Sequence, residues 1–367
     1  AARLTHARAE VRASAARALA ELAGRSDEAA MDALSARVQD DDEGVRGAAL
    51  AALGAIAARG DGVAIRAVSS CLADPSATMR RSALKLLPGL AAKGDQRVLA
   101  AVEACLADGD ETVRDGAVRA LAALGARGRE STAGAAAALL GHAEAVVRSV
   151  GLRVLRELVR RGSRSGIAGA AEHLGHPSKQ VRSAALEGLA VVAERGDAFA
   201  VEAICRHLER PDAEVLQSAA LALCALAAPG DAAAVAALGG CLQHGDAAVR
   251  HSALDALTAL SSKGDERAIA AAAACLRHGN KHVRQFGEEA VRRVAEAGDP
   301  VAIAAVCRCL ESPAEATRAA ALQALHAVAA RGDAHAVAEL AALLECAEAG
   351  ARRCAVLALA EWAADDG

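Results

Sequence analysis

The chain has 367 residues, a formal net charge of −4, and a composition that is 54% apolar but only 1% aromatic. A charge so close to balance favours neither nucleic acid nor an acidic membrane surface as a partner, and no apolar run approaches the roughly 18 residues that span a bilayer. The apolar residues are mainly Ala, Leu and Val, so composition predicts closely packed helices rather than a core filled by aromatic rings.

A Val-Arg pair recurs along the chain at a fixed period of 34 residues, without insertion or deletion. Its first position is occupied by Val11, Val45, Met79, Val113, Val147, Val181, Val215, Val249, Val283, Thr317 and Ala351. A fixed period of this length is typical of a solenoid, in which each repeat contacts only its neighbours.

Each repeat contains two stretches with apolar residues at three- and four-residue spacing, which predicts two amphipathic helices. The first helix carries the column Leu19, Leu53, Leu87, Leu121, Leu155, Leu189, Leu223, Leu257, Val291, Leu325 and Leu359. The second carries Val38, Leu72, Leu106, Leu140, Leu174, Leu208, Leu242, Leu276, Leu310 and Leu344. A slip of one residue would rotate a helix by about 100° and remove its Leu from the shared core, so the register has to be kept.

Glycine and capping residues punctuate the repeat. A left-handed Gly is predicted to end the first helix, at Gly60, Gly94, Gly128, Gly162, Gly196, Gly230, Gly264, Gly298 and Gly332. The Asp that usually follows can cap the second helix, and a second column can cap the first helix: Asp42, Ser76, Asp110, Ser178, Asp212, Asp246 and Asn280. The Gly-Asp pair is broken at Gly128-Arg129 and Gly162-Ser163, which predicts lost capping. Pro88 lies inside a predicted helix, where we expect a kink.

The repeat resembles the HEAT repeat, and most closely the short HEAT-like units of phycobilin lyases. Their D-x-x-VR-x-x-A-x-x-AL start is similar to 212–223 and 246–257, and their Gly-Asp turn is similar to Gly264-Asp265. The resemblance implies an all-α, right-handed α-solenoid of about eleven 34-residue helix-turn-helix repeats. Residues 1–10 would end a preceding repeat, 11–350 would form ten HEAT-like repeats, and 351–367 would be the first helix of an eleventh, so both ends look cut from a longer array.

An arginine column accompanies the period, interrupted only by Leu216. Its members are Arg12, Arg46, Arg80, Arg114, Arg148, Arg182, Arg250, Arg284, Arg318 and Arg352. It could be an anion-binding stripe or a structural ladder that pairs each Arg with acidic or carbonyl groups of the preceding turn. We predict the ladder, because the regularity follows the fold and Arg is suited to bridging several acceptors.

Half of the ten cysteines share one repeat position, which Leu occupies in other repeats: Cys71, Cys105, Cys241, Cys275 and Cys309. Such a position is predicted to hold a small buried hydrophobe. Neighbouring repeats stack about 8–10 Å apart, beyond the roughly 7 Å between Cα atoms that a disulfide tolerates. We therefore expect free thiols and an intracellular, cytoplasmic location.

Histidines recur at the C-terminal end of the second helix, at His142, His176, His244 and His278. A protonated imidazole there would favour the helix dipole. His251 and His282 make a metal cluster an alternative, but the spacing of carboxylate and His residues does not support one. No metal or other cofactor is expected.

One repeat departs from the charge balance of the rest. Residues 147–180 contain seven basic and two acidic residues. The candidate binding residues are Arg153, Arg156, Arg160, Arg161 and Arg164, on the outer face of the first helix and in the turn after it.

Three functions are compatible with these features. The preferred one is a non-enzymatic scaffold or adaptor that binds a protein or peptide, as part of a larger protein or assembly, because no nucleophile stands beside an evident base. The resemblance implies a bilin lyase or chaperone-like activity as an alternative. Nucleic-acid binding through the arginine patch is less favoured, because aromatic side chains for base stacking are scarce.

Overall fold

A computed structural model describes residues 2–210 and 212–363, and all regular structure in them is helical. The first helices of the repeats are α1 (Ala9–Leu22), α3 (Glu43–Ile56), α5 (Ala77–Leu90), α7 (Glu111–Ala123), α9 (Ala145–Leu158), α11 (Lys179–Val192), α13 (Ala213–Leu226), α15 (Ala247–Leu260), α17 (Lys281–Val294), α19 (Glu315–Val328) and α21 (Ala349–Ala363). The second helices are α2 (Glu28–Ser35), α4 (Gly62–Ser70), α6 (Gln96–Ala104), α8 (Glu130–Ala138), α10 (Arg164–Glu172), α12 (Ala198–Leu208), α14 (Ala232–Cys241), α16 (Glu266–Leu276), α18 (Pro300–Leu310) and α20 (Ala334–Leu343).

The chain divides into two compact units, unit 1 (Ala1–Ala170) and unit 2 (Ala171–Gly367). The second helices up to α10 each pass into a short 3₁₀ turn, whereas α12 and the later ones do not. These turns are Ala36–Gln39, Cys71–Ala73, Cys105–Ala107, Leu139–Gly141 and His173–Gly175. The repeat period gave no sign of either difference, because it runs through both units unchanged.

The predicted Leu columns form the core of each unit. In the first helices the column from Leu53 to Leu325 is 0% exposed, whereas Leu19 and Leu359 are half-buried. The second-helix column is buried except for the half-buried Leu208 and for Leu344, which is 38% exposed. Each fully buried Leu contributes about 2 kcal/mol through removal of apolar surface from water.

Aspartate caps the second helices as predicted. The side chains of Asp27, Asp61, Asp95, Asp197, Asp231, Asp265, Asp299 and Asp333 accept hydrogen bonds from backbone N–H groups in the first turn. At the first helices the prediction holds for Asp42, Asp110, Asp212, Asp246 and Asn280. It is wrong for Ser76 and Ser178, whose hydroxyl groups donate instead to Glu43 and Gln180.

The predicted left-handed glycines have positive φ, but they do not end the first helices. Helix α3 ends at Ile56, and Gly60, with φ of 89°, lies in the turn that follows. The Gly60 N–H donates to the carbonyl of Leu90 in the next repeat, at 2.7 Å. The same bond joins Gly94 to Leu124 and Gly196 to Leu226, so this glycine ties consecutive repeats together.

The first turn holds a serine at this position, and its replacement by glycine is expected to stabilise unit 1. Ser26 has φ of 59° and donates its N–H to the carbonyl of Ile56. A left-handed residue with a side chain costs about 1 kcal/mol relative to glycine. Ser26→Gly should therefore raise the free energy of unfolding in urea by up to about 1 kcal/mol. Ser14→Gly, at an exposed position within α1, should lower it, and equal losses for both variants would contradict the assignment.

Candidate functional site

The ten arginines of the column form an internal ladder. Each guanidinium donates through Nη1 to two carbonyl groups of the preceding inter-repeat turn, five and six residues earlier. In Arg46, for example, these acceptors are the carbonyls of Asp40 and Asp41, at 3.0 and 3.1 Å. The prediction of a structural ladder is confirmed, and these cations are not a free anion-binding stripe.

We call each ladder arginine with its acceptors a rung; in unit 1 three rungs are closed by a carboxylate in the turn that follows the arginine's own repeat. Arg12 pairs with Asp40, Arg46 with Asp74 and Arg80 with Asp108, each through two nitrogen–oxygen contacts of 2.7 to 3.1 Å. The acid lies 28 residues after the arginine, in the turn that follows its own repeat rather than in the preceding turn. Each pair therefore links two successive inter-repeat turns.

Acid is expected to weaken unit 1 through Asp40. The Arg12 side-chain hydrogen bond holds the pKa of the Asp40 carboxyl below its ordinary value. A lowered pKa gives stability that is fully present above the unfolded-chain value of about 3.9 and is lost as pH falls through the folded value. Urea midpoints measured from neutral to strongly acidic pH should show this loss. Asp40→Asn should lose stability at neutral pH and flatten the acid-dependent part, and an unchanged acid profile would contradict the assignment.

After Asp108 the acidic position of the ladder is taken by other residues. His142, His176, His244 and His278 stand there, and each Nδ1 accepts the backbone N–H two residues later, at 3.0 to 3.1 Å. Each of these rings therefore caps the start of the following helix, and the predicted interaction of a charged imidazole with the helix dipole stays a prediction. These rings replace the Asp in capping but not in closing the rung.

Replacing His142 by Asp is expected to complete the unpaired rung at Arg114. Arg114 is 5% exposed, and its Nε has no hydrogen-bond partner among the described residues. An Asp at this position would reach Arg114 as Asp108 reaches Arg80, and it would keep the bond to the N–H of Glu144. His142→Asp should raise the free energy of unfolding by about 1.5 kcal/mol. The reciprocal Asp108→His should lower it, and a destabilised His142→Asp would refute the rung geometry.

The five predicted patch residues lie at the end of α9, in the turn after it, and at the start of α10. Arg153 is half-buried and pairs with Asp115 of α7 at 2.6 Å, so this charge is neutralised within the fold. Arg160 crosses the preceding turn, because a Cβ placed on Gly128 would lie 2.8 Å from its Nε. Arg156, Arg161 and Arg164 are exposed.

The breaks in the Gly-Asp turn do not remove capping from α10. The hydroxyl of Ser163 accepts the N–H of Gly166 and donates to Glu130 of the preceding repeat. Glu130 also accepts the backbone N–H of Ser165, and this bond is the main reason that its pKa is lowered. The prediction of lost capping is therefore wrong for α10 and correct for α8, where Arg129 provides no side-chain cap.

Sequence reasoning missed a second group of basic residues in unit 1. Lys85 and Arg119 are exposed at equivalent positions of α5 and α7, and Arg153 continues the column on α9. We call Lys85, Arg119 and Arg153 the basic column. The signal was present in the sequence, since these residues lie 34 apart, but it spans three repeats, whereas the prediction considered the charge of a single repeat.

A cavity of about 310 Å³ lies between α5 and α7 beside the basic column. Its polar lining consists of Arg81, Lys85 and Arg119, and its apolar lining consists of Leu84, Pro88, Gly116, Ala120 and Ala123. Helix α5 continues through Pro88 to Leu90. Because proline has no N–H, the carbonyl of Leu84 lacks its usual helical donor at this wall. Gly116 leaves room here, since a Cβ on it would lie 3.2 Å from Leu84 Cδ1.

Within unit 2 the ladder is interrupted at Leu216. In the repeat before Leu216, Arg182 keeps its two carbonyl acceptors but pairs with side chains of α13 rather than with an Asp of the following turn. Its Nε donates to Ser218, and its guanidinium pairs with Glu214. A cavity of about 570 Å³ is lined by Leu216 together with Cys205, Leu208, Arg210, Ala237 and His244. The missing guanidinium thus coincides with an open space at the C-terminal ends of α12 and α14.

The cysteines are free, and those of the shared column are buried, as predicted. Burial raises the pKa of the Cys71, Cys105 and Cys241 thiols to about 11 and that of Cys275 to about 12. Thiols with such pKa values are protonated at neutral pH and are poor nucleophiles. Across the described ranges no group of three or more His, Cys, Asp and Glu residues is arranged to hold a metal ion.

None of the helices in residues 2–210 and 212–363 has the length and apolar character needed to cross a membrane. Five arginines of the second helices are exposed: Arg66, Arg97, Arg206, Arg267 and Arg308.

The family profile described as HEAT repeats matches residues 1–88 and 167–257. An engineered protein of known crystal structure is 21% identical, with 98% of this chain and 97% of that chain covered and a TM-score of 0.32. YibA from Escherichia coli is 20% identical, with 70% of this chain and 90% of that chain covered and a TM-score of 0.31. Importin beta, crystallised in ammonium sulfate, is 13% identical, with 98% and 57% covered and a TM-score of 0.39.

No curated protein matches the sequence. The two matched segments cover slightly less than half of the chain, and the 34-residue period carries the same helix pair through the residues outside them. In its described residues the chain is an all-α protein built from HEAT-like repeats.

Proposed function

We propose that this chain is a non-enzymatic scaffold that binds a protein partner and works within a larger assembly. The observation that carries the proposal is the division of its cations into two groups. The ladder arginines are used inside the fold, whereas Arg81, Lys85 and Arg119 surround a cavity and have no ion-pair partner in the described part of the chain. Charges of one sign around an open cavity with an apolar lining support a recognition role, because such a surface attracts a partner of opposite charge.

The proposal assigns no chemical step to the chain. The buried thiols with raised pKa values and the histidines whose Nδ1 atoms cap helices have structural roles. The finer resemblance to phycobilin lyases is tested by incubating the protein with a free bilin. We expect an unchanged absorption spectrum, and a shifted spectrum that survives gel filtration would favour the lyase or chaperone-like alternative.

Site-specific photo-crosslinking tests the scaffold function. A photoreactive amino acid at Ala123, on the rim of the cavity, is irradiated in native extract, and the adducts are identified by mass spectrometry. The matched control places the same amino acid at the exposed Ala100 on α6. Protein adducts at position 123 that exceed those at position 100 are expected. Adducts with nucleic acid alone would overturn the proposal.

A further inference from the structure

The cavity between α5 and α7 combines positive charge with apolar walls. Arg81, Lys85 and Arg119 supply three cations, and no carboxylate contributes to the lining. Leu84 and Ala120, which form the apolar wall, are 2% and 3% exposed, so the wall belongs to the buried core of unit 1. A ligand that matches this site has an apolar group that enters the cavity and anionic groups that flank it.

The basic column sets the spacing that an anionic partner has to match. Its residues lie on successive first helices, and packed helices are about 8–10 Å apart. In an α-helix, residues seven apart lie on one face and are separated by about 10.5 Å along the axis. In an extended peptide, residues on one face recur at about 6.7 Å and about 13 Å, which does not match the column.

The composition of unit 1 distinguishes a protein partner from a nucleic acid. The Phe and Trp residues of the chain are Phe199, Phe286 and Trp362, all outside residues 1–170, so unit 1 offers no Phe, Tyr or Trp ring on which a base could stack. The Asp115 carboxylate of α7 pairs with Arg153, so Lys85 and Arg119 are the members of the basic column that remain to attract an anionic partner.

We propose that the first-helix face of unit 1 binds an amphipathic acidic helix across α5 and α7. Carboxylates at seven-residue spacing pair with Lys85 and Arg119. An apolar side chain between them enters the cavity beside Leu84 and Pro88. This inference rests on the proposed scaffold function and names the chemistry of the partner.

The test uses the whole chain and two synthetic peptides of about 18 residues, which is long enough to cross α5 and α7 with a turn to spare at each end. Both peptides have the same composition and helical content. One carries Glu at seven-residue spacing with Leu between, and the other carries Glu at positions that do not share a face. Fluorescence anisotropy should show that the first peptide binds at least about tenfold more tightly, with affinity falling as salt is raised. Equal affinity for the two peptides would overturn the proposal.

Two double variants locate the binding site. Lys85→Glu with Arg119→Glu should weaken the peptide by at least about tenfold, whereas Arg66→Glu with Arg97→Glu, an equal charge change on exposed second-helix positions, should change it less than about twofold. Circular dichroism establishes that both double variants are folded. Equal losses in a variant and its control would refute the assigned surface.

A third probe separates this inference from the proposed function. A single-stranded oligonucleotide with the same charge as the peptide is titrated under the same conditions. Tighter binding of the oligonucleotide, abolished by the Lys85 and Arg119 substitutions, would show that the surface reads phosphate and would overturn both proposals. If neither probe binds while position 123 still crosslinks to protein in extract, the acidic-helix inference fails and the scaffold function stands.

Discussion

Asp74→Ala is expected to lower the free energy of unfolding of unit 1 by about 3 kcal/mol. The carboxylate binds Arg46 through Nε at 2.7 Å and Nη2 at 3.1 Å, and the two side chains are only 6% and 12% exposed. Removal of the acid leaves a buried guanidinium without a counter-charge and also removes the acceptor for the N–H of Ser76. The loss is large because the remaining charge is desolvated, not because an ion pair is strong in water.

The measurement is urea denaturation followed by circular dichroism, with Glu10→Ala as the control. Glu10 pairs with Arg8 at 3.0 Å, but the side chains are 83% and 72% exposed, so its loss should cost less than about 0.5 kcal/mol. A third variant, Asp74→Asn, keeps the shape of the side chain and should lie between the two. If Asp74→Ala lowered the free energy of unfolding no more than Glu10→Ala, the ion pair that links consecutive turns would not stabilise the fold.

Glycine-to-alanine substitution is expected to change the free energy of unfolding in opposite directions at two helical positions of unit 1. A Cβ on Gly151 of α9 would lie 2.7 Å from the carbonyl oxygen of Ala136 and 2.9 Å from Leu139 Cβ. The Ala136 carbonyl belongs to the backbone of α8 and can retreat only if α8 moves away from α9. Gly151→Ala should therefore lower the free energy of unfolding by about 2 kcal/mol. A Cβ on Gly89 of α5 meets nothing within 4 Å, so Gly89→Ala should raise it by up to about 1 kcal/mol.

The two glycine variants control each other, because the chemical change is the same and both sites are helical. Thermal and urea unfolding of both proteins, compared with the wild type, give the signs directly. Stabilisation by Gly151→Ala would mean that helix propensity dominates and that the close approach of α8 and α9 is not needed. Destabilisation by Gly89→Ala would mean that the C-terminal turn of α5 is tighter than its open surroundings indicate.

Features whose partners lie within a few residues were predictable. The helices, their Leu columns and the Asp caps depend on spacings of two to four residues, which the chain displays directly. The carbonyl acceptors of the Arg column belong to the same class, because they lie only five and six residues before each arginine. The glycine position was misassigned because its N–H bonds to the next repeat, as Gly60 does to Leu90, and no local pattern records that bond.

The candidate site was only partly predictable, because charge was counted within one repeat. Arg153 was chosen with four other arginines, but in the structure it pairs with Asp115, 38 residues earlier. Ser163 was predicted to be a lost cap because only Asp was considered after the glycine, although its bond from the N–H of Gly166 is local; only its second partner, Glu130, lies 33 residues away. Lys85 and Arg119 were overlooked, and only the packing of α5 against α7 shows that they border a cavity.

By itself the sequence determined the all-helical repeat, its register and the internal role of its arginine column, because a 34-residue period repeats the same local choices of propensity, capping and apolar spacing. Only the tertiary structure decided where the units divide, which charges are neutralised by the neighbouring repeat and which stay unpaired around a cavity. The physical reason is distance: helix geometry is set by residues up to four apart, whereas ion pairs and cavities depend on side chains that stacking brings together from about 30 residues away.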